Sequence, residues 1–87
     1  MIAVWKLTFD NDALRTTLPA GAEILHVNTQ KGNICIWAEV DTEAPAEERA
    51  FKIVGTGHAV PAGPRKYLGT VKLQNDTFIF HVYELLN

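Results

Sequence analysis

The sequence contains no serine and a single cysteine, and both scarcities exclude kinds of chemistry. Without serine there is no serine nucleophile, and one cysteine cannot form a disulfide within the chain. Cys35 lies in an apolar run between two isoleucines, which is typical of a small buried residue in a reducing cytosol. We favour this interpretation over a nucleophile in contact with His26, because no neighbour in the sequence activates the thiol.

Long apolar runs and clustered basic residues are also missing. No stretch approaches the roughly 18 apolar residues of a membrane-spanning helix, and the N-terminus lacks the pattern of a secretion signal. The net charge is −2, and the eight basic residues are scattered among ten acidic ones. Duplex nucleic acid requires clustered Lys and Arg, so the sequence argues against it as the main partner. We therefore expect a cytoplasmic protein that binds neither membrane nor duplex nucleic acid.

The pattern that is present is alternation of apolar and polar residues, which is typical of half-buried strands. The 87 residues are enough for one domain, residues 1–87, and too few for two cores. Alternation predicts strands at 3–9, 14–18 and 49–54. The polar segment 42–49 is predicted as a loop with one helical turn beginning near Pro45. Together with two hairpins, this predicts an all-β fold, a small antiparallel β-sandwich or barrel of six to seven short strands.

Two hairpins are predicted with specific pairings. The first turns at Lys31-Gly32, and its pairs are Leu25–Ala38, Val27–Ile36 and Thr29–Ile34 on one face and His26–Trp37, Asn28–Cys35 and Ile24–Glu39 on the other. The second turns at Asn75-Asp76, and its pairs are Leu73–Phe78, Val71–Phe80 and Gly69–Val82 on one face and Thr70–His81 and Leu68–Tyr83 on the other. The last strand is apolar on both faces, which predicts a central or covered position.

The segment GTGH, residues 55–58, is the strongest candidate for a ligand site. Two glycines after a strand can direct backbone N–H groups toward an anion. The candidate ligand-binding residues are Gly55, Thr56, Gly57, His58, Arg49, Arg65 and Tyr67. The alternative is that Gly55 marks a bulge and Gly57 a turn, and we favour it because short glycine motifs have low specificity.

A second candidate is an interaction surface on the first hairpin, formed by His26, Trp37 and Glu39. Indole rings contribute strongly to binding at protein interfaces. The alternative, which we favour, is that Trp37 packs in the core between two sheets.

A metal site is not predicted, because the three histidines are far apart and the chain has no HxH or CxxC motif. No cofactor is predicted either.

Several segments together resemble an uncharacterised family of small phage and bacterial proteins. The segments are Gly21 to Leu25, Trp37, Gly55 to His58 with the GTGH motif, and Phe80 to Val82, and the resemblance covers roughly residues 2–85. It implies a phage or prophage origin and no specific function. Small proteins of such origin often act on host machinery.

Three functional hypotheses follow. The first is a non-enzymatic binding protein that captures a host protein or a small anionic, nucleotide-like ligand, and that counters host defence. The second is a structural or accessory protein that self-associates as a homodimer through edge strands and a tryptophan-bearing face. The third is a small hydrolase that uses His58 or His81 as a base, and it is the weakest because no motif positions a nucleophile, a metal or an acid pair.

Overall fold

The computed structural model describes residues 1–86, which form seven antiparallel strands in two sheets. The strands are β1 (Ile2–Thr8), β2 (Ala13–Pro19), β3 (Glu23–Gln30), β4 (Asn33–Asp41), β5 (Ala46–Gly55), β6 (Arg65–Leu73) and β7 (Phe78–Leu85). Sheet A has the order β1-β4-β3, and sheet B has the order β2-β5-β7-β6. The predicted all-β sandwich is confirmed. No helix among the described residues is long and apolar enough to cross a membrane.

Both predicted hairpins form, and their turns have the backbone conformation that tight hairpins require. Lys31 and Gly32 have φ values of 52° and 80°, and two successive positive φ values are typical of a type I′ turn. Asn75 and Asp76 also have positive φ, at 54° and 67°. β7 lies between β5 and β6 in sheet B, so its predicted central position is confirmed.

The predicted registers are correct near the turns and wrong beyond two β-bulges. β3 has an irregularity between Ile24 and His26, so Ile24 pairs with Ala38, and Leu25 is left 49% exposed. β6 has another between Tyr67 and Gly69, so Tyr67 rather than Leu68 lies opposite Tyr83. An extra residue in one strand shifts every later pair by one position, which alternation alone does not reveal.

The core lies between the two sheets. Its fully buried side chains include Ile36, Ala38 and Val40 of sheet A and Phe51 and Val82 of sheet B. The sheets approach most closely where β3 meets β6. At that point a Cβ on Gly69 would lie 2.5 Å from Val27 Cγ2, so only glycine fits there without a shift.

The polar segment 42–49 contains no helical turn: residues 42–45 form the predicted loop, and β5 begins at Ala46. Residues 46–52 of β5 pair with β2, so that Glu48 lies opposite Thr17. Pairing in the sheet thus outweighs the helical preference of the two glutamates. Arg15 Nη1 forms an ion pair of 2.9 Å with Glu48 Oε1 on the surface.

Candidate functional site

The GTGH segment forms a tight turn at the end of β5. The N–H of His58 donates to the carbonyl of Gly55 at 3.0 Å, and Gly57 has a φ of 90°. The N–H of Thr56 donates to the carbonyl of Ile79 at 3.4 Å. Two of the amides expected to face an anion are therefore already used within the fold, so they form no free anion-binding nest.

The side chain of Thr56 belongs to a larger polar cluster centred on His81. Thr56 Oγ1 lies 2.9 Å from His81 Nε2, and His81 Nδ1 lies 3.2 Å from both Tyr67 Oη and Thr70 Oγ1. The two hydroxyls of Tyr67 and Thr70 also hydrogen-bond to each other. We call these four residues, Thr56, Tyr67, Thr70 and His81, the His81 cluster. It brings together β6, β7 and the turn after β5.

One arrangement of protons satisfies the whole His81 cluster. Thr56 Oγ1 also lies 3.3 Å from the carbonyl of Ile79, to which it donates its hydroxyl proton. The Thr56 oxygen then accepts from a protonated His81 Nε2, and His81 Nδ1 accepts from one of the two remaining hydroxyls.

The His81 cluster lies on the outer face of sheet B, beside an open cleft. Tyr67 and Tyr83 meet edge to face with ring centroids 5.2 Å apart, and Tyr67 is 49% exposed. A cleft of about 210 Å³ adjoins the cluster. Its lining residues are Val54, Gly55, Thr56, Gly57, His58, Val60, His81 and Tyr83. The sequence-predicted residues Gly55, Thr56, Gly57 and His58 thus line one cleft together with His81.

On the part of the outer face of sheet B that β6 and β7 form, the charged side chains are positive. Cross-strand partners share a face, and the faces alternate along each strand. The outward-facing pairs of β6 and β7 are Arg65–Leu85, Tyr67–Tyr83, Thr70–His81 and Lys72–Ile79. None of these outward side chains is a carboxylate. Within residues 1–86, neither Arg65 nor Lys72 forms an ion pair.

Arg49 is not brought to this cleft. It lies on the inner side of sheet B, where its guanidinium forms a two-pronged ion pair with Glu84 and Nη1 donates to the carbonyl of Ala22 at 2.8 Å. The hydrogen bond with Glu84 raises the pKa of Arg49 above its ordinary value, against an opposing effect of burial. Gly55 lies six residues further along the same strand, about 20 Å away.

The three residues of the predicted interaction surface, His26, Trp37 and Glu39, lie on the outer face of sheet A. His26 and Trp37 have ring centroids 5.9 Å apart and Glu39 is exposed. Trp37 is half-buried and points away from the core, because Ile36 and Ala38 on either side of it face the other sheet. The interpretation of Trp37 as a core residue between two sheets is therefore wrong.

Cys35 is buried, as the sequence predicts. Its Sγ lies 3.6 Å from Thr8 Oγ1 and 3.7 Å from the carbonyl of Asn33. These contacts are of a kind that small buried polar side chains commonly make. In the part of the chain that the structure describes, no three His, Cys, Asp or Glu residues are grouped to hold a metal ion.

Comparison with known proteins identifies a family. A family model described as a domain of unknown function, DUF7352, matches residues 1–87. The chain belongs to this family. The expectation of an uncharacterised family is thereby confirmed, while its phage origin stays a prediction. No curated protein and no solved structure matches the chain.

The sequence predicts only some of the residues that the structure brings together in this candidate site. These include Thr56, His58, Arg65 and Tyr67, and His81 was considered only as a base in a hydrolase. The overlooked residues are Thr70, Lys72 and Tyr83. A signal was available, because the predicted hairpin register already placed Thr70 beside His81. The contact with Thr56 depends on pairing between β5 and β7, which no short-range pattern specifies.

Proposed function

We propose that this chain is a small non-enzymatic binding protein, of phage or prophage origin, that captures a small anionic, nucleotide-like ligand and thereby counters host defence. The observation that carries the proposal is the outer face of sheet B: an imidazole held by three hydroxyls, beside two tyrosine rings and two cations that form no ion pair within residues 1–86. The proposed origin rests on the resemblance of the GTGH and FHV segments to phage proteins.

The chemistry of this face suits both halves of a nucleotide. A phosphate is recognised by cations and by hydrogen-bond donors, which Lys72 and the His81 cluster supply. Arg65 adds a second positive charge to the same face, about 20 Å from Lys72 along β6. A base is recognised by stacking on an aromatic ring, and the 49% exposed ring of Tyr67 offers such a platform. The absence of carboxylates from the outward side chains of β6 and β7 removes a source of repulsion toward an anion.

The test is a titration of the labelled protein with three probes, followed through backbone amide NMR shifts. AMP contains both a base and a phosphate, whereas adenosine and inorganic phosphate each lack one of them. We expect AMP to shift the amides around Tyr67, Thr70 and His81 at lower concentration than either fragment, and added salt to weaken its binding. If no probe shifts these amides, the small-ligand proposal fails and the hypothesis of a captured host protein takes its place.

Two pairs of substitutions with equal charge change sharpen this test. R65Q/K72Q removes the two cations of the proposed site. K6Q/K66Q removes two cations elsewhere, since Lys6 lies in sheet A and Lys66 lies opposite Glu84 on the inner side of sheet B. We expect the first pair to weaken AMP binding about tenfold or more, and the second to leave it within about twofold. Equal losses would indicate unspecific attraction by net charge.

The GTGH turn has its own test within the same titration. T56A/H58A removes two side chains of the cleft while the turn glycines remain. We expect this variant to keep the fold and lose AMP binding. Unchanged affinity would show that the GTGH segment is a corner of the sheet and contributes nothing to the site.

One contact favours a hydrolase as a second candidate. Thr56 Oγ1 and His81 Nε2 are 2.9 Å apart, and a hydroxyl within reach of an oriented base is the arrangement of a nucleophile pair. This reaction uses the other tautomer of His81, with the proton on Nδ1: Nε2 takes the proton of Thr56 as Oγ1 attacks an ester carbonyl, and it returns the proton to the leaving alcohol. A water molecule that His81 deprotonates then cleaves the acyl–Thr56 ester, which releases the acid and restores the Thr56 hydroxyl. Hydrolysis of p-nitrophenyl acetate that is lost in both T56V and H81Q would support this candidate. If the wild type hydrolyses the ester no faster than T56V and H81Q do, the protein is not a hydrolase of esters.

A further inference from the structure

The edge strand β1 differs from the other three edges of the sandwich. β3 has a bulge at Leu25 and lies against β6, and β6 has a bulge at Leu68. β2 contains Pro19 and the charged Arg15. Bulges, prolines and charges are devices that prevent strand edges from pairing with other chains. β1 is regular over Ile2–Thr8, contains no proline and no bulge, pairs in sequence with β4, and has Lys6 as its one charged side chain.

The backbone groups at the free side of β1 can be assigned from its hydrogen bonds to β4. The N–H of Phe9 donates to the carbonyl of Ile34 at 3.0 Å, and the carbonyl of Met1 accepts from Thr42 at 2.9 Å. Residues bonded to the neighbouring strand alternate, so the odd-numbered residues of β1 bond to β4. The N–H and C=O of Ile2, Val4, Lys6 and Thr8 therefore point away from sheet A, where no described strand pairs with them.

The side chains along this edge are apolar and accessible. The exposed fractions of Met1, Ile2, Val4 and Trp5 are 76%, 65%, 57% and 40%. Val4 pairs with the exposed Glu39 and Trp5 with the buried Ala38, so Ile2 and Val4 lie on the outer face of sheet A and Trp5 on the opposite face. Apolar side chains therefore flank the free backbone groups on both faces, and an unpaired strand of this kind is a template for addition of another strand.

We infer that the free edge of β1 pairs antiparallel with β1 of a second copy of this chain, around a two-fold axis at Trp5. This register places Ile2 opposite Thr8 of the second copy and Val4 opposite its Lys6. It uses every free N–H and C=O of residues 2, 4, 6 and 8. The two sheets A then form one continuous sheet of six strands, with the two indole rings side by side.

The occupant is a second copy because the strand is complementary to itself in this register. An axis at Lys6 would bring two like charges together, and an axis at Val4 would leave Thr8 without a partner. The axis at Trp5 avoids both, since Lys6 faces the apolar Val4. It also brings Trp5 against its counterpart, and aromatic cross-strand pairs stabilise antiparallel strands.

Sedimentation equilibrium of the full chain over about 10–500 μM tests the inference. We expect a mass that rises with concentration from 9.7 kDa toward twice that value. In V4P the missing N–H belongs to the free side, so pairing with β4 is kept while pairing with a second copy is lost. We expect V4P to stay monomeric, and V4A, which keeps the N–H, to dimerise more than V4P. A monomeric wild-type chain, or a V4P variant that dimerises like it, would overturn the inference.

A charge pair at Val4 identifies the register. V4K places a lysine opposite Lys6 of the second copy, twice per dimer, and we expect dimerisation about 2- to 30-fold weaker than that of the wild type. V4E creates two opposite-charge pairs and should dimerise more tightly than V4K. Within one copy, Val4 neighbours Glu39, so V4K should make the single chain more stable than V4E does. This order is the opposite of the order expected for dimerisation. Tighter dimerisation of V4K than of V4E would exclude the Trp5-centred register.

Discussion

Among residues 1–86, the core accommodates charge at the ion pair between Arg49 and Glu84. The side chains of Arg49 and Glu84 are only 14% and 7% exposed, and Arg49 also bonds to the carbonyl of Ala22. Removing one partner of a buried pair leaves the other charge without compensation. We therefore expect E84Q to lower the free energy of unfolding by about 3 kcal/mol, measured by urea denaturation.

A matched control for E84Q exists on the surface. Glu48 pairs with Arg15, and both side chains are largely exposed, at 68% and 72%. Exposed pairs contribute little, because water and salt screen them, so E48Q should change the free energy of unfolding by less than about 1 kcal/mol. If E84Q and E48Q destabilise the protein equally, burial does not determine the contribution of the Arg49–Glu84 pair.

Asp12 gives the stability of the protein a component that depends on acid pH. Lys52 Nζ donates a hydrogen bond of 2.7 Å to its carboxylate. This bond first, and the charge of Lys52 second, lower the pKa of Asp12 below its ordinary value of 3.8. A lowered carboxyl pKa stabilises the fold above the pKa of the unfolded chain, and the contribution disappears as the pH falls through the folded pKa.

The corresponding prediction compares wild type with D12N at several pH values. At pH 7 the wild type should be the more stable of the two, and the difference should shrink as the pH falls below about 4. Urea denaturation from pH 7 to pH 2.5 measures it. D10N is the control, since Asp10 forms no ion pair within residues 1–86. A difference between wild type and D12N that is constant with pH would contradict the assignment.

At the scale of elements, the close approach of β3 to β6 determines how the sandwich is closed. Gly69 lies where β6 resumes regular pairing after its bulge, directly against Val27. We expect G69A to lower the free energy of unfolding by about 1–3 kcal/mol, because the new methyl group overlaps Val27 Cγ2 in a well-packed region. Urea denaturation of the single variant measures this cost.

A double-mutant cycle separates this overlap from other effects of the methyl group. V27A removes the atom that the new Cβ would meet, so G69A should cost less in the V27A background than in the wild type. Equal costs of G69A in both backgrounds would mean that contact with Val27 is not the cause.

The elements that the sequence predicts well are those whose determinants are local. Lys31-Gly32 and Asn75-Asp76 define their hairpins because turn chemistry and alternation agree in the flanking strands. The bulges at Leu25 and Leu68 could not be predicted, because they depend on how the two sheets meet. The strand at 46–49 was mistaken for a helical turn for a related reason: its partner, β2, lies about thirty residues away in the sequence.

In the candidate site too, contacts within a hairpin are predictable from the sequence, and contacts between distant strands are not. Tyr67 and Thr70 come from one strand, His81 from its hairpin partner and Thr56 from a turn that only pairing between β5 and β7 brings near. The Thr70–His81 contact was therefore predictable and the contact of His81 with Thr56 was not. Arg49, the first residue of the predicted strand 49–54, is a candidate ligand-binding residue from the sequence, but it lies on the inner side of sheet B, where it pairs with Glu84.

For the whole molecule, the two sheets present different surfaces. Sheet B directs a positive, hydroxyl-rich face to the outside, and sheet A ends in the apolar free edge of β1. The proposed ligand face and the proposed dimer edge are therefore on different sheets, so that a dimer keeps two separate ligand faces. Substitutions at Val4 should leave AMP binding unchanged, whereas R65Q/K72Q should leave the oligomeric state unchanged.

Pairing through β1 also makes the stability of the whole molecule depend on its concentration. Folded chains that associate are stabilised by mass action, whereas unfolded chains gain nothing. We expect the thermal midpoint of the wild type to rise by a few degrees when the concentration is raised about a hundredfold, followed by circular dichroism in cells of different path length. V4P should show a midpoint independent of concentration. A wild-type midpoint that does not move, while sedimentation shows a dimer, would mean that the associating surface is present in the unfolded chain as well and that the ordered β1 edge is not its cause.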